Sequence, residues 1–187
     1  MKYVIRPVRA DEWRKARAIR LDALQDPAAP VAFLDSYEEA RGRSDAYWQE
    51  RTAGAADGSA AARQFIAEAA DGSWAGTTTV LVERSGTKAR FGEAPTTDQT
   101  HVVGVYVRPE VRGSGVAGGL LRAALAWSWS LEEPVIQRVR LHVHGENPRA
   151  AAFYRKVGFL PSGRTVPMAG EPTGCEFEYE VRRPVRE

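Results

Sequence analysis

The stretch from Val102 to Ser130 constrains the fold more than any other part of the chain. The apolar, β-branched segment Val102–Val107 leads through a Pro-containing turn into a glycine-rich loop, Arg112–Gly118, and then into a helix predicted from Val116 to Ser130. The first N–H groups of a helix lack internal partners, and the helix dipole favours negative charge there. Glycines also let the backbone approach a phosphate closely. The stretch therefore predicts a site for a phosphorylated ligand.

Two nucleotide-binding motifs and a structural alternative compete for this loop. Gly113, Gly115 and Gly118 satisfy the dinucleotide fingerprint GxGxxG, which would predict NAD binding. The residues 108–112 separate the loop from its strand, however, and too little chain follows for a doubly wound sheet. A Walker A loop is excluded because no Gly-Lys-Ser/Thr ends the run. The structural alternative is a helix start in which the glycines serve close packing.

The loop resembles the acyl-CoA-binding motif of the GNAT N-acetyltransferases. That motif reads Gln/Arg-x-x-Gly-x-Gly/Ala and is met by Arg112, Gly115 and Ala117. The segment Asn147–Phe159, about 30 residues further on, resembles the family's second motif, with an Asn, an Ala, a Tyr and a final Gly-Phe. The resemblance implies an α/β fold of the α+β type, with a central mixed, mostly antiparallel sheet of about seven strands and about four flanking helices. It also implies transfer of the acetyl group of acetyl-CoA, as co-substrate, to a primary amine.

The resemblance carries over to individual positions. In the family, the strand before the loop presents backbone groups to the pantetheine arm, and the loop N–H groups hold the pyrophosphate. The implied cofactor-binding residues are Val105, Tyr106, Val107, Arg112, Gly113, Ser114, Gly115, Val116, Ala117, Gly118, Asn147, Ala150 and Phe153. Tyr154 matches the family's general acid, since a phenol can protonate a leaving thiolate within hydrogen-bond reach. The structural alternatives are a solvated or structural Arg112, a helix-capping Asn147 and a core Tyr154.

The general base is where this chain departs from the family. Many relatives carry a carboxylate on the strand before the glycine loop, whereas Val102–Val107 contains no Asp or Glu. His101, at the start of that strand, is the predicted catalytic substitute, acting directly or through water. His142 and His144 on the next strand, Glu68, and a water relay without a dedicated base are the alternatives.

Composition and the remaining patterns set wider bounds. A net charge of +2 gives no case for nucleic-acid binding, and three scattered histidines with one cysteine predict no metal site. Cys175 is predicted to be a passive thiol that suits a reducing cytosol, and no apolar run indicates a signal peptide or a membrane span. We therefore expect a single cytoplasmic domain over residues 1–187, with its acyl-CoA-binding core at 102–159. An exposed C-terminal strand favours a homodimer.

Periodicity places the other elements. The predicted strands are Tyr3–Val8, Gln64–Ala69, Trp74–Val82, Val139–Val143, Phe159–Val166 and Cys175–Val181, and the predicted helices begin near Asp11, Ser36 and Asn147. The helix from Ser36 is expected to run to Thr52. Five aromatic residues are predicted to pack in the core or to line an acceptor pocket: Phe33, Tyr37, Trp48, Phe65 and Trp74. The acceptor is predicted to be a small-molecule amine or a protein amino group, and the alternative function is a non-catalytic acyl-CoA-binding module.

Overall fold

The computed structural model of the protein describes residues 3–168, 170 and 174–184. Its seven strands are β1 Val4–Pro7, β2 Ala62–Glu68, β3 Trp74–Glu83, β4 Gln99–Val107, β5 Arg138–His144, β6 Leu160–Pro167 and β7 Cys175–Arg182. Its α-helices are α1 Trp13–Leu24, α2 Tyr37–Arg41, α3 Asp45–Gly54, α4 Val116–Ser130 and α5 Pro148–Lys156. The strands form one sheet in the order β1-β2-β3-β4-β5-β7-β6. The predicted seven-stranded α+β fold is confirmed.

The sheet is mixed, as expected. β1, β2 and β3 pair antiparallel, and so do β5, β7 and β6. β4 and β5 pair in parallel where Gln99 lies beside Arg138 and His101 beside Arg140. A parallel pair requires a crossover connection, and the helix α4 supplies it. The glycine loop therefore lies at the start of the crossover helix, as the sequence predicts.

The helix predicted from Ser36 to Thr52 is wrong in one respect, because the chain forms two helices there. The first, α2, begins after Ser36, whose hydroxyl accepts from Glu39 N–H at 3.2 Å. The second, α3, begins after Ser44, whose hydroxyl accepts from Tyr47 N–H at 3.2 Å. Serine competes for backbone hydrogen bonds and so favours a helix start over a helix interior. The cap at Ser44 therefore divides the segment and raises the helix count to five.

The chain divides into two compact units. Unit 1 comprises Met1–Leu81 and Gly104–Ala124, and unit 2 comprises Val82–Val103 and Leu125–Glu187. In unit 1, the inner face of α1 packs on the sheet through Ala16, Ile19 and Ala23. The aromatic residues mostly take the core role: Trp48, Phe65 and Trp74 are buried, and Phe33 packs against the buried clusters.

In unit 2, β5 alternates between an apolar face and a charged one. Val139, Leu141 and Val143 are buried apolar residues, and the residues between them are Arg or His. Arg138 donates to Glu178 and Glu180, each at 2.7 Å, so the charges on this face are paired across to β7. Burying a charge is tolerated when it is paired in this way. The face therefore carries an ion-pair network within the sheet.

The helices and the exposed edge of the sheet bear on two expectations, the cytoplasmic location and the homodimer. None of the helices in the described residues is long and apolar enough to cross a membrane. β6 is an edge strand, and Leu160 and Phe177 at this end of the sheet are exposed. Pro161 and Pro167 lie in β6, and proline discourages pairing with another chain. The homodimer and the cytoplasmic location stay predictions.

Candidate active site

The glycine loop has the backbone that its sequence predicts. Gly113 and Gly115 have φ angles of 84° and 89°, a left-handed conformation that strains other residues. The first α4 backbone bond runs from Gly119 N–H to the Gly115 carbonyl at 3.0 Å. The N–H groups just before it, from Val116 to Gly118, belong to the first helical turn, which has no internal acceptors. The loop and helix start can therefore offer several N–H groups to one anion.

Two arginines fix the loop to the rest of unit 1. Arg108 Nε donates to the Trp74 carbonyl at 2.7 Å, and its Nη2 donates to Asp22 at 2.7 Å. Arg112 Nε donates to the Val107 carbonyl at 3.0 Å, and its Nη2 pairs with Asp26. Arg112 thus has the structural role that was its alternative interpretation. Its proposed contact with phosphate stays a prediction.

The remaining loop residues divide between surface and core. Gly113, Ser114 and Gly115 are exposed, and Ser114 Oγ donates back to the Val111 carbonyl at 2.6 Å. Val116 and Gly118 are buried and Ala117 is half-buried, as expected at the base of a helix that packs on the sheet. A Cβ atom built on Gly118 would lie 3.2 Å from Arg122 Nη1. Any phosphate contact from these helical residues would therefore come from the backbone.

The predicted pantetheine strand is partly open to solvent. Gly104 and Val105 are half-buried, whereas the following Tyr106 and Val107 are buried. The Tyr106 ring packs in the core with Ile19 and Ala23 of α1, and burial raises the pKa of its hydroxyl. Tyr106 can therefore contact a ligand only through its backbone. Gly104 has a φ angle of 63°, which interrupts the regular strand at the start of the open part.

The second motif forms the start of α5 in unit 2. Asn147 Oδ1 accepts from Ala150 N–H at 3.2 Å, and Pro148 takes the first helical position. Asn147 is thus a helix cap, which was its structural interpretation, and a ligand contact stays a prediction. Ala150 is half-buried, and so is Phe153, whose ring lies 5.5 Å from the Tyr154 ring.

Tyr154 is half-buried and lies among aromatic rings. Its ring also lies 6.2 Å from the Phe159 ring in an edge-on arrangement. Burial raises the pKa of the Tyr154 hydroxyl, and the charge of Glu176 raises it further. The phenol therefore keeps its proton at neutral pH. A retained proton is what a general acid requires.

His101 lies in a chain of hydrogen bonds that the sequence did not reveal. Its Nδ1 is 3.1 Å from Glu83 Oε1, and its Nε2 is 3.0 Å from His142 Nδ1. Burial acts to raise the pKa of Glu83, but the hydrogen bonds from His101 and Gln99 and the charge of Arg140 outweigh it, so the pKa lies below its usual range. An ionised Glu83 accepts the Nδ1 proton of His101.

His142 ends this chain of hydrogen bonds. Burial, together with the charges of His101 and Arg140, lowers the pKa of His142 to about 3, so its ring is neutral. Within the described residues, Nε2 has no hydrogen-bond partner, and Glu178 Oε2 lies 3.9 Å from it. Nε2 is also closely covered, since a Cβ atom built on Gly92 would lie 2.8 Å from it.

The other base candidates are less well placed. His144 Nδ1 accepts from Glu146 N–H at 3.1 Å, which ties the turn after β5. Glu68 is bound at both oxygens by Arg6, at 2.8 Å each, and this hydrogen bonding lowers the pKa of Glu68. Cys175 is a half-buried free thiol. In the described parts of the chain, no three His, Cys, Asp or Glu residues are grouped so that they could hold a metal ion.

Glu83 and His142 are the site residues that sequence reasoning missed or ranked low. A search for a carboxylate confined to Val102–Val107 overlooks Glu83, because it lies at the end of the preceding strand. The available signal was the cluster of polar residues at the ends of three strands, Glu83, Gln99 and Arg138. Only strand pairing brings these residues together.

Comparison with known proteins agrees with this picture. The sequence profile of the Acetyltransferase (GNAT) family matches residues 19–159. A segment of 62 residues is 34% identical to the spermidine N(1)-acetyltransferase of Vibrio cholerae. That segment covers 33% of this chain and 35% of the relative, so the match is local.

Solved structures share the fold over nearly the whole chain. An acetyltransferase of the GNAT family from Streptococcus pneumoniae has a TM-score of 0.73 at 13% identity, covering 97% of this chain and 100% of its own. NAA60 of Arabidopsis thaliana in complex with acetyl-CoA has a TM-score of 0.67 at 15% identity, covering 97% and 98%. The spermidine N-acetyltransferase of Vibrio cholerae in complex with CoA and spermine has a TM-score of 0.60 at 18% identity, covering 96% and 95%. With its family profile matched over most of its length, the chain belongs to the GNAT acetyltransferase family.

Proposed function

We propose that this protein transfers the acetyl group of acetyl-CoA to a primary amine by direct attack of the amine on the thioester. The observation that carries the proposal is the glycine loop, in which two left-handed glycines lead into the first turn of α4. This backbone suits the pyrophosphate of CoA, since small residues leave the amides uncovered. A neighbour in the same family is solved with acetyl-CoA, which supports the same co-substrate.

The residues implied by the family motif bind different parts of the co-substrate. The loop N–H groups hold the pyrophosphate, and the backbone of Val105 and Val107 pairs with the pantetheine arm. The half-buried position of Val105 supports this, because an extended arm needs an accessible strand edge. Arg112 supports the loop through its bonds to Val107 and Asp26. Asn147 caps α5 and so helps to position the helix that carries Tyr154.

The chemical step needs one proton removed and one supplied. The amine nitrogen attacks the carbonyl carbon, the C–N bond forms, and the C–S bond breaks to release CoA as a thiolate. Tyr154 donates its phenolic proton to that thiolate, since a phenol is protonated at neutral pH. The free CoA thiol and the acetylated amine are the products.

His101 accepts the proton that the amine loses, directly or through water. The nitrogen becomes strongly acidic as its bond to carbon forms, so even a weak base can take its proton at that stage. The hydrogen bonds that join His101 to Glu83 and His142 then spread the positive charge. This series of hydrogen-bonded side chains takes the place of the carboxylate that β4 lacks.

The test compares two glycine variants of equal backbone strain. Gly115→Ala forces alanine into a φ angle of 89° within the loop, and Gly86→Ala does so at 77° in a surface turn. Neither added Cβ has a neighbour within 4 Å among the described atoms, so both should lose similar stability. We expect Gly115→Ala to weaken acetyl-CoA binding at least tenfold by calorimetry and Gly86→Ala to leave it unchanged.

Turnover is then measured as CoA release over a panel of primary amines. Release with at least one amine, together with CoA binding that depends on Gly115, supports the acetyltransferase. Binding without release across the panel would favour the non-catalytic acyl-CoA-binding module. Binding of NAD but not of acetyl-CoA would overturn the proposal and return the loop to its dinucleotide interpretation.

A further inference from the structure

One cation in unit 1 lies beside the open part of β4. Arg20 projects from α1, and a Cβ atom built on Gly104 would lie 4.0 Å from its Nη1. Gly104 directly precedes Val105, which is the farther from the pyrophosphate loop of the two residues that the proposed function pairs with the pantetheine arm, so the thioester end of the arm would lie on this side. The arginine side chain is only 15% exposed. A buried guanidinium therefore borders the place where the acetyl group would be transferred.

Local contacts hold this guanidinium in place but leave part of it unused. Asp35 pairs with Nη2, and the Phe33 ring lies 4.5 Å below the guanidinium carbon. Arg20 Nε is buried and, among the described residues, has no hydrogen-bond partner. Because the guanidinium is fixed by an acid at Nη2 and by a ring on one face, Nη1 keeps a defined direction. A guanidinium N–H is a charged donor that suits a carboxylate.

The charges around Arg20 are predominantly positive. Arg17 lies one turn earlier on the same face of α1, and its buried Nε also lacks a partner within the described chain. Burial lowers the pKa of Arg20, Asp35 raises it, and the charge of Arg51 lowers it. Arg51, and Arg17 one helical turn away, thus add positive charge near the Arg20–Asp35 pair. An acceptor with several ammonium groups, such as a polyamine, would be repelled here.

We propose that the acceptor is an amine that also carries a carboxylate, an amino-acid-type substrate bound through Arg20, rather than a polyamine. This inference rests on the proposed function, since it names the acceptor class of the same reaction. It departs from the matched relative, which is a spermidine acetyltransferase. The carboxylate accepts from Nη1 of Arg20, which leaves the amine of the same molecule free to approach the thioester.

The test uses amines that differ only by a carboxylate. CoA release is measured with three pairs, lysine and cadaverine, ornithine and putrescine, phenylalanine and phenethylamine, and with spermidine. A hydrogen-bonded charge pair predicts that the carboxylate-bearing member has a kcat/KM about tenfold to a hundredfold higher, mainly through KM. Equal rates within each pair, or a preference for spermidine, would overturn the inference.

A double variant that removes both charges of the Arg20–Asp35 pair tests the role of Arg20. Arg20→Gln with Asp35→Asn avoids leaving a lone carboxylate and should abolish the preference for carboxylates. The matched control is Arg63→Gln with Asp57→Asn, a second pair in unit 1 that joins a buried arginine to an exposed aspartate. A wild-type preference that survives in the Arg20 double variant would sink the assignment of Arg20.

Failure of the reaction and failure of the acceptor class can be told apart. If acetyl-CoA binds and no amine releases CoA, the proposed function fails. Calorimetry of lysine and cadaverine with the CoA-loaded protein then still tests the site. Lysine binding that cadaverine lacks, lost in the Arg20 double variant, supports the carboxylate site, and equal or absent binding of both overturns it. If amines are acetylated without regard to a carboxylate, only the acceptor class is wrong.

Discussion

At the residue scale, the chemistry depends on whether the Tyr154 hydroxyl protonates the thiolate. Tyr154→Phe removes the hydroxyl and keeps the ring that packs near Phe153 and Phe159. Loss of a general acid should lower kcat by about a hundredfold or more, with the KM values for acetyl-CoA and amine little changed. Steady-state kinetics of CoA release measure both quantities.

The control for this variant is Tyr179→Phe, a buried tyrosine of unit 2 without an assigned role. It should keep kcat within about a factor of two, because the hydroxyl that it loses has no assigned role in the reaction. A higher KM for acetyl-CoA with unchanged kcat in Tyr154→Phe would instead make Tyr154 a binding residue. In that case the thiolate would leave without help from the phenol.

His142 gives the protein a pH-dependent stability with a defined direction. Its pKa is about 3 in the folded state because burial, His101 and Arg140 disfavour the charged ring, against about 6.5 in the unfolded chain. Between these values only the unfolded chain binds the proton. Stability should therefore fall as the pH drops, by about 2 kcal/mol between pH 7 and pH 5.

His142→Asn removes this titration and keeps a polar side chain beside His101. Urea unfolding of both proteins at pH 7 and pH 5 measures the two differences in the free energy of unfolding. The variant should lose about 2 kcal/mol less than the wild type over this interval. Parallel losses would mean that the pKa of His142 is the same in the folded and the unfolded protein, so that burial does not disfavour its charged ring.

How far the sequence predicts single residues depends on how local their environment is. The left-handed glycines and the cap at Asn147 follow from neighbours in the chain, and the structure confirms their conformations. The partners of His101 come from residues 18 and 41 positions away. Spacing cannot reveal such contacts, because they exist only once β3, β4 and β5 lie side by side.

At the scale of elements, a glycine in β3 lets the strand approach β4 and α4. A Cβ on Gly76 would lie 2.8 Å from the Tyr106 carbonyl oxygen and 3.2 Å from side-chain atoms of Val107 and Leu120. The nearest atom is backbone and cannot move alone. Gly76→Ala should therefore destabilise the protein by about 1–3 kcal/mol through overpacking.

The matched control is Gly54→Ala at the end of α3. No described atom lies within 4 Å of the added Cβ, and alanine favours the helix, so we expect no loss of stability. Thermal or urea unfolding compares the two variants. A Gly76→Ala protein as stable as Gly54→Ala would show that β3 can shift away from β4 at no cost.

Most elements could be predicted from periodicity and caps, and the segment from Ser36 to Thr52 is the exception. The bounds of α4 match the prediction, because an apolar face runs without interruption from the glycine loop to Ser130. The sequence pattern predicts one helix from Ser36 to Thr52, because Gly42 and Ser44 break it only briefly. Local capping by Ser44 outweighs the continuous pattern there.

At the scale of the whole molecule, the order of the strands in the sheet could not be predicted from the sequence pattern alone. The antiparallel hairpin of β2 and β3 follows from the turn at Gly72, which has a φ angle of 81°. The placement of β7 between β5 and β6 does not follow from chain order. It depends on pairing across the sheet, where Arg138 meets Glu178 and Glu180.

Three elements are divided between the two units, and this bears on whether the chain unfolds as one domain. The boundaries between unit 1 and unit 2 fall inside β3, β4 and α4, after Leu81, after Val103 and after Ala124. Unfolding one unit alone would break each of these elements in its middle and expose its backbone hydrogen bonds. We therefore expect one cooperative transition, with an unfolding enthalpy of about 130 kcal/mol near 60 °C for a chain of this length. Scanning calorimetry measures this enthalpy, and the calorimetric and van't Hoff enthalpies should agree.

Acetyl-CoA at 100 times its dissociation constant should raise the midpoint temperature of the whole transition, because it adds about 2.7 kcal/mol of stability. Two transitions, with only one shifted by acetyl-CoA, would contradict the single domain and assign the ligand to one unit.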